Sequence, residues 1–334
     1  MPKVTIIIPV YKVGKYIENS MRSVVSQRFK DFEVILVDNN TPDDSIEIAE
    51  RILKPSGIEY RIVKQCIQGL PAARNMGIAE AKGEWIVSID PDDTISEYFI
   101  EKLYDCAINS NLDFIFSKYD EVGEDSLFVF PEEAMDIPVE YYDRDYVLAN
   151  LLTRRLPLMV SNMFFRKATF DNLNLKFDEN VILGADLICL WKIMINTKKI
   201  AYLNKKLYNH FDRPDSLMTA PSQKKIDSNL AGYVKLCSYI EESYTKEFSQ
   251  WVYAREVYAL LSTMCIWGTK KLFNENKERY YRKKEYLSMK NFPSRIIRKM
   301  NWMLFYTPNI FFVFNKVVRN PKSMINKIIV SLIH

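Results

Sequence analysis

One stretch of the sequence organises the rest of the chain: Trp85-Ile86-Val87-Ser88-Ile89-Asp90-Pro91-Asp92-Asp93. Its apolar first half is typical of a buried strand, which Pro91 ends with a turn. Because side chains alternate along a strand, the turn lets the three aspartates converge at the strand's carboxyl end, where open parallel sheets bind ligands. Three carboxylates this close repel one another unless a cation lies between them, and oxygen ligands favour Mg2+ or Mn2+. The alternative is an ordinary Asp-Pro turn with solvated acids.

The composition is that of a globular protein with a full core. The chain has 334 residues, 48% of them hydrophobic, which predicts one large domain and a smaller second region. Five scattered cysteines form no C-x-x-C pair, which is typical of free thiols in a reducing cytosol. With only two histidines, a histidine-rich zinc site is excluded. The first strand begins at Val4, so we expect no signal peptide, and no apolar run reaches the roughly 20 residues that span a bilayer.

The net charge of +4 conceals two regions of opposite sign. From Lys270 to the end there are 15 Lys and Arg against three acids, about +12, which leaves residues 1–269 at about −8. Basic residues of the tail alternate with large apolar ones, a combination that suits helices lying in an anionic membrane interface. The alternative is a helical cap, packed on the first domain or on a second subunit of a homo-oligomer. The acidic first part argues against a nucleic-acid partner.

Strands and helices alternate over about the first 115 residues, which predicts a mostly parallel α/β sheet with helices on both faces. The strands are expected at residues 4–8, 34–37, 60–64, 85–89 and 113–117. A helical pattern covers residues 222–285. We therefore expect a nucleotide-binding type of domain at 1–220 and a helical, basic, aromatic-rich region at 221–334.

Four motifs together resemble the family 2 glycosyltransferases of the GT-A fold, which transfer sugars from nucleotide donors. In order, they are Val4-Thr5-Ile6-Ile7-Ile8-Pro9-Val10-Tyr11, Val37-Asp38, Gly69-Leu70 with Ala73-Arg74-Asn75, and Asp90-Pro91-Asp92-Asp93. The match covers roughly residues 3–220. The chain has neither a G-x-G-x-x-G nor a G-x-x-x-x-G-K-[ST] loop, so carboxylates and a metal, not glycine-rich backbone, are expected to neutralise a bound diphosphate.

The resemblance implies a nucleoside site at the end of the first two strands. Pro9 and Tyr11 would border the base, and Asp38 would read its edge. This agrees with the ability of a phenol ring to stack on a base and of a carboxylate to accept from an N–H. In the absence of the resemblance, Tyr11 would be an ordinary half-buried loop aromatic.

The resemblance also implies a diphosphate and metal site. Arg74 would lie near the diphosphate or the base, and its ordinary alternative is a surface ion pair. Asp90 would face the ribose, while Asp92 and Asp93 would face Mn2+ or Mg2+; which of the two is the direct ligand is left open. The metal would bridge both phosphates and stabilise the nucleoside diphosphate as it leaves.

On the acceptor side, Asp186 falls in the first turn of a predicted helix, where an acid ordinarily just suits the helix dipole. In the family this position carries Glu-Asp, and its Asp is the general base that deprotonates the acceptor hydroxyl. Here Ala185 replaces the Glu, so a residue that orients the acceptor or tunes the base is lost. Residues 208–216 resemble the loop that folds over the donor. His210 and Arg213 are therefore candidates for contact with the diphosphate or the metal, although a lone histidine is more often structural.

The resemblance implies a metal-dependent, inverting hexosyltransferase. The donor would be a nucleotide sugar, most simply a UDP-sugar, and the acceptor a lipid-linked or growing cell-surface polysaccharide at the cytoplasmic face of the cell membrane. One alternative is a sugar nucleotidyltransferase, which would need a glycine- and basic-rich loop where this chain has Pro9-Val10-Tyr11-Lys12. The other is a catalytically silent, membrane-associated scaffold, which Ala185 slightly favours and the intact aspartates oppose.

Overall fold

The computed structural model describes residues 1–123, 126, 128–130, 137–153, 155–156, 158–182, 184–211, 222–281, 299, 302–303 and 306–318. The chain divides into two compact units, Met1–Arg213 and Pro214–His334. The boundary expected between residues 220 and 221 lies outside the described residues.

A nine-stranded mixed sheet forms the centre of the first unit. Its strands are β1 (Val4–Val10), β2 (Phe32–Asp38), β3 (Glu59–Lys64), β4 (Trp85–Ser88), β5 (Thr94–Ile95), β6 (Phe114–Val122), β7 (Val139–Asp143), β8 (Met163–Arg166) and β9 (Lys199–Phe211). The order across the sheet is β3-β2-β1-β4-β8-β6-β9-β5, and β7 pairs with β9. Flanking helices complete the α/β class that the sequence predicts.

The first four strands form a parallel half, as expected. β1 pairs in parallel with both β2 and β4, and β2 pairs in parallel with β3. All seven residues of β1 are buried, which explains its continuous apolar sequence, because a parallel strand is covered on both faces. The connecting helices are α1 (Ile17–Val25), α2 (Ser45–Leu53) and α3 (Leu70–Glu80), and α4 (Phe99–Ser110) follows β5.

The rest of the sheet differs from the expected parallel continuation. The strand predicted at 113–117 exists as part of β6, but β8 lies between β4 and β6 and is antiparallel to both. The short apolar run of β8 has a packing reason for this place. Phe164 is fully buried and stacks on Trp85, with ring centroids 5.1 Å apart. A second correction concerns residues 208–211, expected in a loop, which form the end of β9.

α3 packs on β1 at very short range. An ideal Cβ on Gly77 would lie 2.3 Å from Cγ2 of Ile7, which is itself fully buried in β1. Only a residue without a Cβ allows this approach.

A buried acid joins the edge of the parallel half to the end of α3. Oε1 of Glu33 accepts hydrogen bonds from the Thr5 hydroxyl and the Lys82 N–H, both at 2.8 Å, and Oε2 pairs with Arg61 at 3.3 Å. Every acceptor oxygen of this carboxylate therefore has a partner, as a buried charge requires.

The remaining helices of the first unit are α5 (Arg144–Thr153), α6 (Lys167–Asn172) and α7 (Ala185–Asn196). The second unit contains α8 (Gln223–Ser243), α9 (Lys246–Trp267), α10 (Lys270–Tyr281) and α11 (Pro308–Val313), which continues into a π-helical turn at Phe314–Val318. The helical pattern predicted from residue 222 is thus confirmed within the described range. In that range, none of the helices combines the length and the apolar character needed to cross a membrane.

Candidate active site

The carboxyl edge of the parallel half gathers the residues expected at the donor site. Val10 of β1 is in register with Asp38 of β2, and Ile7 with Ser88 of β4. The backbone N–H of Ile89 donates to the Ile7 carbonyl at 2.9 Å. The register of the two strands therefore continues past β4, and Asp90 lies level with Pro9. Tyr11 follows at once and is 40% exposed. Pro9, Tyr11, Asp38 and Asp90 therefore share one edge of the sheet.

Asn39 ties the loops around this edge together. Its buried side-chain N–H2 donates to the carbonyls of Gln65 and Ile67 at 3.2 and 2.6 Å, and its Oδ1 accepts from the Gly69 N–H at 2.7 Å. Asp38 itself accepts from the Thr41 N–H at 3.0 Å. The segment after β3 is thus held beside Asp38 and delivered to the start of α3.

Arg74 joins the two ends of the predicted site. Its fully buried guanidinium donates from Nη2 to Asp90 Oδ1 at 2.6 Å and from Nε to Ser88 Oγ at 3.3 Å, and Nη1 pairs with Oδ1 of Asp186. Burial alone would lower the pKa of Arg74, but Asp186 and Asp90 raise it well above its ordinary value. The side chain is therefore a permanent cation between two carboxylates, in place of the surface ion pair considered above.

Asn75, the next residue, fixes the segment that leads to Asp186. Its Nδ2 donates to the Phe177 carbonyl and to Glu179 Oε1, both at 2.9 Å, and its Oδ1 accepts from the Phe177 N–H at 3.0 Å. The Phe177 ring also lies 5.6 Å from the Arg74 guanidinium. The Arg-Asn pair thus holds both Asp186 and the chain before its helix.

Asp186 occupies the first turn of α7, as predicted. Its side chain is 40% exposed, whereas that of its partner Arg74 is 1% exposed. The carboxylate is therefore anchored from the inside and open on the outside, where an acceptor hydroxyl would approach. Ala185 is buried at the helix start and adds no polar group at this opening.

Asp93 has a different environment from the other aspartates of the turn. It is fully buried, and its oxygens accept from the Tyr208 hydroxyl at 2.5 Å and from the Phe211 N–H at 2.8 Å. His210 Nδ1 lies 3.1 Å from Oδ1. Burial raises the pKa of Asp93, and the hydrogen bonds from His210 and Tyr208 oppose this rise. These contacts attach the end of β9 to the aspartate turn.

His210 carries positive charge at this turn. Burial alone would lower its pKa, but the hydrogen bond and charge of Asp93, together with the nearby Asp90 and Asp92, raise the pKa of His210 to about 9. Its side chain is 37% exposed, so the imidazolium is reachable from solvent. Arg213, the other candidate on this segment, lies outside the described residues.

Asp92 is half-buried on the same turn. Among the described residues, no group of three or more His, Cys, Asp and Glu side chains is arranged to hold a metal ion.

Sequence reasoning assigned no role to three residues that build the site: Asn39, Asn75 and Ser88. Asn75 stands inside a quoted motif. Ser88 precedes Asp90 by two positions on a strand, so both side chains point to the same face. This spacing of two positions is the feature of the sequence from which the contact of Ser88 with Arg74 could have been predicted.

The sequence pattern described as Glycosyl transferase family 2 matches residues 5–173. The chain belongs to this family. It is 29% identical over 231 residues to the uncharacterized glycosyltransferase EpsJ of Bacillus subtilis, covering 69% of this chain and 67% of EpsJ. It is 28% identical to glycosyltransferase GlyA of Streptococcus pneumoniae, of which only 32% is covered. A cholesterol galactosyltransferase of Borreliella burgdorferi is 24% identical over 288 residues, with 77% of this chain and 76% of that protein covered.

Among solved structures, this family 2 glycosyltransferase is similar to residues 1–349 of S. aureus TarS. The structure of TarS in complex with UDP-GlcNAc superposes with a TM-score of 0.66, at 16% identity, covering 94% of this chain and 89% of that one. At this identity the likeness shows the fold, which confirms the GT-A prediction. The protein is a glycosyltransferase, and the edge that carries Asp38, Asp90 and Asp186 is its candidate active site.

Proposed function

We propose that this glycosyltransferase moves a sugar from a UDP-sugar to an acceptor hydroxyl, with Asp186 as the base. One observation carries the proposal: the buried Arg74 holds Asp90 of the aspartate turn and Asp186 of α7 on a single guanidinium. A donor-binding carboxylate and a solvent-open carboxylate thus face one another across a fixed cation. The complexes of the similar TarS with UDP and with UDP-GlcNAc support the donor class.

The nucleoside is held at the ends of β1 and β2 in this proposal. The half-exposed Tyr11 stacks on a pyrimidine ring beside Pro9, and Asp38 accepts from the base edge. Asp90 accepts from a ribose hydroxyl through the oxygen that Arg74 leaves available. The loop that Asn39 anchors closes this end of the site and sets which base fits.

The residues of the aspartate turn fit Mn2+ or Mg2+ as a partner of the diphosphate. Mg2+ in such sites uses one or two carboxylates and takes further oxygens from substrate phosphates, which suits a turn without a full protein cage. We assign the direct contact to Asp92, because the Asp93 oxygens already accept from Tyr208 and from the Phe211 N–H. When bound, the metal neutralises charge on the departing diphosphate. The cationic His210 adds to this positive potential.

The transfer itself is a single displacement. Asp186 removes the proton of the acceptor hydroxyl, the acceptor oxygen forms a bond to the anomeric carbon, and the bond from that carbon to the diphosphate oxygen breaks. The electron pair leaves with the nucleoside diphosphate. Attack opposite the leaving group inverts the anomeric centre, so an α-linked donor gives a β-linked product. Arg74 orients Asp186 for this step and is a positioning residue for it.

The acceptor in this proposal is a lipid-linked or growing cell-surface saccharide. The enzyme would meet it at the cytoplasmic face of the cell membrane, and a homo-oligomer is compatible with this arrangement. The Borreliella burgdorferi relative is named a cholesterol galactosyltransferase, and this name together with the basic tail supports a membrane-side acceptor. A catalytically silent scaffold remains the competing function that an experiment must exclude.

Thermal unfolding of the full chain tests the donor site. UDP, GDP and CDP are each added with and without Mn2+, since a ligand that binds only the folded state raises the midpoint. We expect the largest rise with UDP and Mn2+, its loss in Asp92→Asn, and its retention in Asp105→Asn, a matched change at an exposed position of α4. No rise with any nucleotide would contradict the proposal.

Turnover tests the base. Release of UDP from a panel of UDP-sugars is measured for the parent and for Asp186→Asn, which keeps the side-chain shape. We expect the variant to keep the UDP-dependent rise in midpoint and to lose about 100-fold or more in turnover, as for a general base. Parent-like turnover in Asp186→Asn would exclude this residue as the base, and binding without turnover in the parent would favour the scaffold.

A further inference from the structure

The second unit exposes a stripe of large apolar side chains near the end of the described chain. The exposed fraction is 73% for Tyr306, 37% for Val317, and 58% for each of Trp302, Ile310 and Val313. We refer to these five residues as the apolar stripe. Single exposed apolar residues are normal on a protein surface, but several large ones in one short segment indicate an interaction surface.

The five residues follow one another at intervals of four, four, three and four positions, a spacing typical of helical segments. They belong to successive elements: Trp302 and Tyr306 precede the non-helical Thr307, Ile310 and Val313 lie in α11, and Val317 lies in the π-helical turn. Two backbone hydrogen bonds flank Thr307, one from the Thr307 N–H to the Met303 carbonyl at 2.9 Å and one from the Phe311 N–H to the Thr307 carbonyl at 3.0 Å. The ring centroids of Trp302 and Tyr306 lie 5.4 Å apart.

The opposite side of the same segment is already in use. Phe311 and Asn315 are fully buried. The Phe311 ring packs against Phe273 of α10 and Tyr258 of α9, with centroids 6.0 and 5.9 Å away. Lys316 Nζ donates to the Ile266 carbonyl at the end of α9 at 3.0 Å. Phe311 and Lys316 therefore attach the segment to α9 and α10, while the side chains of the apolar stripe stay exposed.

The charge around the stripe identifies its partner. Residues 286–334 contain eight Lys and Arg and not one Asp or Glu. Lys299, three positions before Trp302 in the sequence, is exposed. Tryptophan and tyrosine favour the boundary between lipid headgroups and acyl chains, and basic residues bind anionic headgroups. A second copy of the same face would bring like charges together, because a two-fold interface pairs a surface with itself.

We propose that the apolar stripe inserts into the interfacial layer of an anionic lipid bilayer, with the basic residues of the tail on the headgroups. The segment from Trp302 to Val317 then lies along the membrane surface. The usefulness of this contact rests on the proposed function, in which the acceptor is at the membrane. The contact itself requires neither donor nor acceptor.

Vesicle flotation of the full chain tests the proposal. The protein is mixed with vesicles of phosphatidylcholine alone or of phosphatidylcholine with phosphatidylglycerol, without nucleotide. We expect flotation with the anionic vesicles, weakened by salt because surface charge is screened. A triple variant, Trp302→Ser, Tyr306→Ser and Ile310→Ser, should bind the anionic vesicles at least about tenfold more weakly than the parent does. The matched control is Ile62→Ser with Ile108→Ser, two exposed positions of the first unit, and should float like the parent.

Three results would overturn this inference: no flotation of the parent, parent-like flotation of the triple variant, or a lipid-free dimer that the triple variant converts to a monomer. The last result would assign the stripe to a second copy of the chain. Circular dichroism and the UDP-dependent rise in unfolding midpoint are measured on each preparation. Flotation without any UDP-dependent rise in midpoint would support the membrane contact and contradict the proposed function. A UDP-dependent rise without flotation would support the proposed function and contradict the membrane contact.

Discussion

Replacing Gly77 by alanine is expected to separate α3 from the sheet and to weaken the donor site more than the fold. The new Cβ would lie 2.3 Å from Ile7 Cγ2 and 3.2 Å from Cδ1 and Cγ1. Carbon atoms in a protein core pack at about 3.5–4.0 Å, so the nearest contact is too short by roughly 1.2–1.7 Å. Ile7 is fully buried in a central strand and has no open space into which to rotate.

The two consequences of this clash differ in size. Overpacking of this kind costs about 1–3 kcal/mol, and the better helix propensity of alanine returns about 1 kcal/mol. The net loss in unfolding free energy is therefore about 0–2 kcal/mol. Arg74 lies one turn earlier on the same helix, 2.6 Å from Asp90. A matching displacement would lengthen that contact to about 4 Å, beyond hydrogen-bond range.

Urea unfolding and the UDP-dependent rise in thermal midpoint measure the two effects separately. We expect Gly77→Ala to lose most of the UDP effect while remaining folded. The control is Ile7→Ala, which removes the clashing atoms and should by itself cost about 2–5 kcal/mol. In the Ile7→Ala background, Gly77→Ala should be neutral or stabilising by up to about 1 kcal/mol. Additive free energies in this cycle, or a parent-like UDP effect in Gly77→Ala, would refute the close-approach argument.

Three further predictions follow from buried groups and from the aspartate turn. Burial alone would raise the pKa of Glu33, but hydrogen bonds from its neighbours lower it below the ordinary 4.5. Glu33→Gln should therefore cost about 1–2 kcal/mol near neutral pH, and urea titrations should show this difference shrinking as the pH falls through the lowered pKa. A thiol reagent should modify one cysteine rapidly, the exposed Cys66, because the other four are buried and burial raises the pKa of Cys106 to about 11 and of Cys189 to about 12; rapid reaction of all five in folded protein would contradict the core. Mn2+ should bind only together with UDP, since the described residues hold no three-ligand cluster. The electron paramagnetic resonance signal of free Mn2+ measures this binding. Protein alone should leave the signal unchanged, and protein with UDP should lower it further than UDP alone does.

The parallel half of the fold could be predicted from local sequence. β1, β2 and β4 are short apolar runs ended by a polar or proline residue, and β1, β2 and β3 are each followed by a helical pattern. Chain order then fixes which strand ends meet at one edge. The position of Asp186 in the first turn of α7 could also be predicted from local sequence, because the apolar residues that recur at helical spacing in that helix begin directly after it. The helical character of residues 222–281 followed from the same kind of periodicity.

The contacts that make the site work were not predictable in this way. β8 has four residues, too few to show a period, and its place between β4 and β6 depends on stacking between Phe164 and Trp85. The burial of Asp93 depends on Tyr208 and Phe211, which are more than one hundred positions away. Nothing near Asp93 in the sequence distinguishes it from Asp92. Likewise, the family resemblance predicted that Arg74 lies near the donor, but only the structure shows that Arg74 also pairs with Asp186.

The distance along the chain between Asp93 and its partners has a consequence for how the enzyme matures. β1 to β4 are complete once 88 residues have been made, and their contacts are local enough to form early during synthesis. At that stage the aspartate turn exists but Asp93 is still in water, because its partners Tyr208 and Phe211 are 115 and 118 positions downstream. The segment that carries the family pattern, residues 5–173, ends before both α7 and β9. A ribosome-bound chain of that length would therefore carry the family pattern before Asp186 and the β9 partners of Asp93 had been made, and Asp93 would become buried only after β9 was synthesised.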